Sequence, residues 1–417
     1  MKTLKLISQC FLILIVWVAL LIFGFSSGQL LRPISGDSPQ AFIEETSQLI
    51  NDEFVGNLGL VVLENGQVAD EYYYDIKTDI DRNTVYQVAS VSKWVTAFGL
   101  FKLVEDGKVD LDTPIDNYLT RWHLPPSDFD NRKVTLRLLL SHSSGLIDDL
   151  GYDGFGPDQP VQTIEESLTQ AADAEYAAGK AIVGYEPGSQ YMYSGAAYTI
   201  IQLLIEEVSG KSFQAYMTET VFEPLGMVSS TFDLGTKPEL NLATRYNRDG
   251  SVAPANRFTA LAAASLFTNT SDLAKFMAAH VSPNPVLSAS TIQQMIQPQT
   301  YINNTPVYAL GPHLYSQGDE SSQIIGHDGS SGQPTINTAA RINMTTGNGI
   351  IVLEMGSPNL ASRIADEWIF LEGGIADYVV IQRNKPFLMT LLFVGYLILV
   401  STYFLWRSKR TKKAKLT

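Results

Sequence analysis

Two apolar runs, one at each end of the 417-residue chain, constrain its organisation more than any other feature. Phe387 to Trp406 is twenty residues without a charge, and Arg407, Lys409, Arg410, Lys412, Lys413 and Lys415 follow at once. At a helical rise of about 1.5 Å per residue such a run crosses a hydrocarbon layer roughly 30 Å thick. A buried core helix needs no six-cation stop behind it, and a basic flank of this kind stays in the cytoplasm. Residues 387-406 are therefore predicted to be a transmembrane helix and 407-417 a cytoplasmic tail. At the other end, Lys2 and Lys5 precede an apolar run from Ile7 to Phe25. It is longer than the usual core of a cleaved signal, so residues 1-28 are read as an uncleaved anchor. Ser26, Ser27 and Gly28 leave a signal peptide as the alternative. Everything between the two spans is expected outside the cytoplasm, at the cell membrane.

Charge and cysteine content exclude several classes. Without the two leading lysines and the six tail cations, 21 basic residues face 43 acidic ones, a formal charge of −22 on the intervening region. Nucleic acid is an unsuitable partner for such a surface. The single cysteine, Cys10, lies inside the first apolar run, which excludes intramolecular disulfides and any cysteine-based metal site. His123, His280 and His313 have no paired spacing, so no metal or other cofactor is expected.

Residues 29-40, with Pro33, Gly36 and Pro39, read as a linker to a first helix near 41-53. Leu60–Glu64 and Val68–Tyr74 flank Asn65-Gly66, a dipeptide that accepts positive φ at both central positions of a hairpin turn. Thr335–Met344 and Gly349–Met355 form a second strand pair late in the chain. Between them, periodicity and caps predict helices over Val91–Glu105, Ala197–Val208, Phe213–Phe222 and Ser271–His280. The pattern predicts an α+β domain over 41-376, with one antiparallel sheet built from both ends of the domain and an inserted helical lobe. The active site is expected between lobe and sheet.

Ser90-Val91-Ser92-Lys93 opens the most uniformly apolar of these helices. A serine in the first turn lies at the positive end of the helix dipole, and a lysine three residues on reaches the same face. Burial would lower the lysine's pKa toward neutrality and let it take the serine proton as the hydroxyl attacks a carbonyl. Roughly one Ser-x-x-Lys arises by chance in a chain of this size, so placement rather than spacing carries the argument. No Gly-x-Ser-x-Gly elbow is present.

Further clusters follow in order: Leu139-Leu140-Ser141-His142-Ser143-Ser144-Gly145-Leu146, Tyr191-Met192-Tyr193-Ser194-Gly195, Pro224-Leu225-Gly226-Met227 and Gly326-His327-Asp328-Gly329-Ser330. With Ser90 and Lys93, they make residues 41 to 374 resemble the class C β-lactamases and their low-molecular-weight penicillin-binding and esterase relatives, a serine β-lactamase-related family. The resemblance implies a β-lactamase/transpeptidase-like fold. It implies that Ser90 forms an acyl-enzyme, that Lys93 activates it and that Tyr193 shares the proton transfer. The backbone amides of Ser90 and Ser330 would form the oxyanion hole, while His327, Gly329 and Gly195 would line the substrate site.

Two positions depart from the family pattern. Its Tyr-x-Asn is Tyr193-Ser194-Gly195 here, and its Lys-Thr-Gly is His327-Asp328-Gly329. The first change removes an amide that would bond an acyl-amide substrate, and the second makes the cation pH-dependent. His142 is read as structural, and the pairs Asp148-Asp149 and Glu206-Glu207 as loop and solvated helix face.

The sequence thus predicts a membrane-anchored serine hydrolase that uses a Ser90 acyl-enzyme on ester or amide substrates, small molecules or D-amino-acid-containing cell-wall fragments. A β-lactamase or D-alanyl-D-alanine carboxypeptidase is the alternative within the family. A non-catalytic penicillin-binding-like receptor is the alternative of another class.

Overall fold

The computed structural model describes residues 2–26, 30, 36, 38–53, 56–148, 151–174, 179–315, 323–373 and 378–413. Most of the expected linker 29-40 lies outside the described residues. The chain divides into one compact unit over Ser35–Trp368 and a second made of Met1–Ile34 with Ile369–Thr417.

The first unit is built on β-strands β1 (Asn57–Glu64), β2 (Gln67–Asp75), β3 (Tyr86–Gln87), β4 (Phe267–Thr268), β5 (Thr300–Ile302), β6 (Thr305–Tyr308), β7 (His313–Leu314), β8 (Ile324–Ser331), β9 (Ile336–Asn343) and β10 (Gly349–Met355). Asn65 and Gly66 adopt φ of 52° and 74°, the positive values that the β1–β2 turn requires. All but β3 and β4 form one antiparallel sheet in the order β2-β1-β10-β9-β8-β7-β6-β5. The first and last strands of the domain are thus neighbours, with Asn57 opposite Met355 and Leu63 opposite Gly349. This is the sheet closed by both ends of the domain that the sequence predicts. It is wider than expected at the β5–β7 edge, because strands of two to four residues carry no alternation to read.

The helical lobe is inserted between β2 and β5. Its centre is the helix Val91–Glu105, in which Val91, Trp94, Val95, Phe98 and Phe101 are all fully buried. A helix this apolar all round is stable only with neighbours on every side. Gly195–Ser209 and Thr270–Val281 match the predicted helices to within two residues at each end. The predicted Phe213–Phe222 helix is instead α-helical over Phe213–Met217 and widens into a π-turn over Thr218–Phe222. Pro224 has no N–H to donate and its ring presses on the carbonyl four residues back, at Thr220, which widening relieves.

Every residue of β9 and β10 is buried, so the sheet is covered on both faces. In β9, Arg341 is fully buried and forms ion pairs with Asp328 of β8 at 2.9 Å and with Asp366 of the helix Leu360–Gly373 at 2.7 Å. Its guanidinium also lies 4.2 Å over the Tyr315 ring. Removing one partner of such a network leaves buried charge uncompensated. Arg341→Leu is expected to destabilise the protein by about 3–5 kcal/mol, read from denaturant unfolding of the detergent-solubilised chain; unchanged stability would show the network to be energetically neutral.

In the second unit, two helices are long and apolar enough to cross a membrane, over Leu4–Phe25 and Asn384–Lys409.

Candidate active site

Ser90 sits at the start of its helix because the preceding turn is pinned from several sides. Ala89 holds a positive φ of 45°, unusual for a residue with a side chain. Its carbonyl accepts the Ser92 amide at 3.0 Å and the Ser92 hydroxyl, which in turn accepts the Leu266 amide at 2.9 Å. Thr338 on β9 donates to the Val88 carbonyl at 2.9 Å. These bonds over-determine a strained backbone and leave Ser90 partly exposed at the helix end.

Lys93 is 2 % exposed, with Nζ 3.1 Å from Ser90 Oγ and 2.8 Å from the Ala263 carbonyl oxygen. Its Nζ lies 4.9 Å and 5.7 Å from the ring centres of Tyr193 and Tyr198. Burial pulls the amine down to about 7, against a weaker upward pull from Asp148. Tyr193 is half-buried, and its hydroxyl bonds Ser90; desolvation pushes its pKa up, so it keeps its proton at neutral pH. Sequence reasoning nominates these three residues, and the fold brings them together.

The Tyr193 turn is held by two residues that sequence reasoning treats otherwise. Asp148, expected in a solvated loop, is 1 % exposed. It accepts from the Ser194 hydroxyl and, at 2.8 Å, from the Ala196 amide, so it caps the helix that follows. Asp149 lies outside the described residues. Gly195 is the buried first residue of that helix, and its carbonyl accepts from Thr199 at 3.3 Å. His142, read as structural, accepts the Ser194 amide on Nδ1 at 3.0 Å and lies against Tyr193 with ring centres 4.2 Å apart and planes tilted by 32°. Its proton is therefore on Nε2, 3.2 Å from Tyr308 Oη. Tyr308 donates to His327 Nε2 at 3.0 Å, and His327 donates from Nδ1 to the Asp328 carbonyl at 2.6 Å.

This chain of bonds corrects the expectation that His327 offers a pH-dependent cation. The ring is 1 % exposed, both nitrogens are engaged, and burial with the neighbouring His313 and Lys93 holds its pKa well below the ordinary value. His313, which sequence spacing leaves unassigned, has its ring 4.7 Å from His327, and burial pulls it down to about 4. The cluster is neutral at pH 7.

Gly329 is where β8 meets the Ser90 turn. A Cβ there would lie 2.2 Å from the Val88 oxygen, 2.5 Å from Thr338 Oγ1 and 3.1 Å from the Ser90 nitrogen. Only glycine allows the strand to come this close. Ser330, the next residue, is exposed at the end of β8 and paired with Asn337.

Comparison with known proteins agrees with this geometry. The family model described as Beta-lactamase matches residues 49–371. The chain belongs to the Beta-lactamase family. A relative in Escherichia coli O157:H7, named "Putative D-alanyl-D-alanine carboxypeptidase", is 27% identical over 61% of this chain and 66% of its own length. Protein flp of Staphylococcus aureus (strain MRSA252) is 23% identical over 77% of this chain and 63% of its own. The chain thus spans less than two thirds of the length of these curated relatives. Among solved structures, the octameric penicillin-binding protein homologue from Pyrococcus abyssi aligns with a TM-score of 0.65 at 25% identity, covering 81% of this chain and 77% of the other. The fold is the β-lactamase/transpeptidase-like one that the sequence predicts.

In this Beta-lactamase-family site, Gly329→Ala is expected to lower the rate of Ser90 labelling by a fluorophosphonate probe by about 10²-fold, since β8 and the Ser90 turn must part by the order of an ångström. Labelling within about threefold of wild type, in a variant with unchanged unfolding temperature, would mean that the close approach is dispensable.

Proposed function

We propose that the protein is a membrane-anchored serine hydrolase that forms an acyl-enzyme on Ser90. The observation that carries the reading is the buried Lys93 amine, brought down to about 7 and 3.1 Å from Ser90 Oγ. In its neutral form the amine takes the Ser90 proton while Oγ attacks an acyl carbonyl. The oxyanion that develops is met by the backbone amides of Ser90 and Ser330, each such donor being worth about 10²–10³-fold in rate. As the tetrahedral species collapses, Tyr193 gives its proton to the leaving group and is reprotonated from the Lys93 ammonium. In deacylation a water oxygen bonds the acyl carbon as its proton passes to neutral Lys93; the bond to Ser90 Oγ then breaks, Oγ takes that proton back through the Lys93–Tyr193 pair, and the acid leaves. The two apolar helices support anchoring, and the six tail cations support a catalytic domain outside the cytoplasm.

The reaction makes its own pH prediction. Activity needs neutral Lys93, so kcat/KM is expected to rise with pH through about 7 and then level, because Tyr193 keeps its proton far above that. Ser90→Ala should abolish fluorophosphonate labelling, and Lys93→Ala should lower turnover of p-nitrophenyl esters by about 10²–10⁴-fold. A folded wild-type chain that neither labels nor turns over would replace this reading with a binding protein.

The substrate class follows from where charge is committed. Arg341 is fully buried and engaged with Asp328 and Asp366, and the histidines His142, His313 and His327 are neutral. The side chain of Asp328 is 21% exposed beside His327 and Gly329, and its charge acts on both Tyr193 and His313. A substrate with a free carboxylate beside the scissile bond would meet this acid and gain no unpaired guanidinium. These features favour esters and amides with an uncharged leaving side, and the carboxypeptidase name of the Escherichia coli relative supports D-amino-acid acyl groups among them. An N-acyl-D-alanyl-D-alanine capped as its terminal carboxamide is expected to be cleaved at the D-alanyl-D-alanine bond with kcat/KM at least about tenfold above the free acid, a difference of about 1.4 kcal/mol. Equal or faster cleavage of the free acid would favour the carboxypeptidase alternative.

A further inference from the structure

We infer that the N-terminal helix is not removed but remains as a second membrane span, locked to the C-terminal span by a built interface. The inference rests on the membrane reading above and is independent of the chemistry at Ser90.

The contact is specific along its length. The C-terminal helix opens into a π-turn over Leu391–Gly395, which frees a carbonyl from the ordinary ladder. Trp17 donates its indole N–H to the Leu391 carbonyl at 3.2 Å. Its ring fills the notch at Gly395, where a Cβ would lie 2.3 Å from Trp17 Cζ2 and 2.8 Å from Cε2. Further along, Tyr396 donates to the Cys10 carbonyl at 3.2 Å. At the far end the Gln9 side-chain oxygen accepts from Tyr403 at 2.7 Å and from Arg407 at 3.0 Å.

From Leu391 to Arg407 these bonds cover about 24 Å at the helical rise, most of a hydrocarbon layer. A loosened carbonyl and two tyrosine hydroxyls facing lipid must find partners inside the protein. The N-terminal helix supplies all three partners. A signal peptide that is cut away has no need to fit a glycine notch and a π-turn on a distant helix. The antiparallel order also sets Lys2 and Lys5 at the same end of the pair as Arg407 and Lys409. Both basic flanks then lie on one side, as the positive-inside preference requires of a two-span chain.

The test uses the full chain with a C-terminal affinity tag and a site-specific protease site inserted after Gly36, expressed in bacterial membranes and purified in mild detergent. Intact mass should include residues 1–28; a mature N-terminus between Ser26 and Gln29 would overturn the inference. After cleavage at the inserted site, the N-terminal fragment should stay with the tagged remainder. Gly395→Leu, and separately Gln9→Leu, should release it at least about tenfold more readily. A fragment that falls away from wild type, or that both variants retain equally, would also overturn it. Ester turnover measured on the same samples keeps the outcomes apart. Its loss in wild type would sink the hydrolase reading without touching the helix pair, whereas a chain missing from the membrane fraction would sink the membrane reading and the helix pair together and leave the chemistry at Ser90 untouched.

Discussion

The site depends on an amine that the protein declines to pair. Among the described residues no carboxylate bonds Lys93 Nζ, whose contacts are a carbonyl, a hydroxyl and two aromatic faces. The fall from 10.5 to about 7 corresponds to roughly 5 kcal/mol of preference for the neutral form. The folded pKa lies below the unfolded one, so between these values the unfolded chain holds a proton that the folded chain lacks. Stability therefore drops as pH falls through that window, and the full cost stands below about 7. A dense core has to offset this cost. The helix that carries Lys93 is buried along almost its whole circumference, with the lobe packed around it.

Around that amine the protein arranges polar groups that carry no charge of their own. The Ser194 amide fixes the His142 tautomer, His142 orients Tyr308, Tyr308 fixes His327, and His327 closes on the Asp328 carbonyl. Each donor has one acceptor, so the array ties the Tyr193 turn to β8 without placing a second cation near Lys93. Among the described residues, the buried carboxylate whose charge acts on Lys93 is Asp148, which accepts from the Ser194 hydroxyl and the Ala196 amide.

Much of this was legible in the chain because it depends on local chemistry. Asn65-Gly66 specifies a turn by its φ values, Ser90 and Lys93 share a helix face by spacing alone, and the strands that close the sheet are long enough to show their character. The parts that were not legible depend on distant contacts. Asp148 has no periodicity around it, and only the folded position of Ser194 turns it from a loop acid into a helix cap. Tyr308 and His313 sit on strands too short to detect, and they matter only because β6 and β7 bring them beside His327. The strain at Ala89 is invisible in sequence, since alanine gives no hint of a left-handed conformation; it is imposed by Ser92, Leu266 and Thr338 together.

His327 and Asp328, which stand on β8 where the family pattern has Lys and Thr, fit one electrostatic solution. A lysine at position 327 would place a second buried ammonium where the His327 ring already feels the Lys93 charge, and two like charges in a low-dielectric pocket repel strongly. Histidine in the neutral form keeps a hydrogen-bonding group at that position and removes the repulsion. Aspartate at 328 then needs a cation of its own, and it has one in Arg341, on the next strand and out of solvent. The pairing anchors β8 to β9 and the helix Leu360–Gly373, fixing the strand that brings Gly329 against Ser90. The Arg341 charge is thereby committed to holding the strand, and the way the sheet is fastened decides which charges are left facing the Ser90 turn.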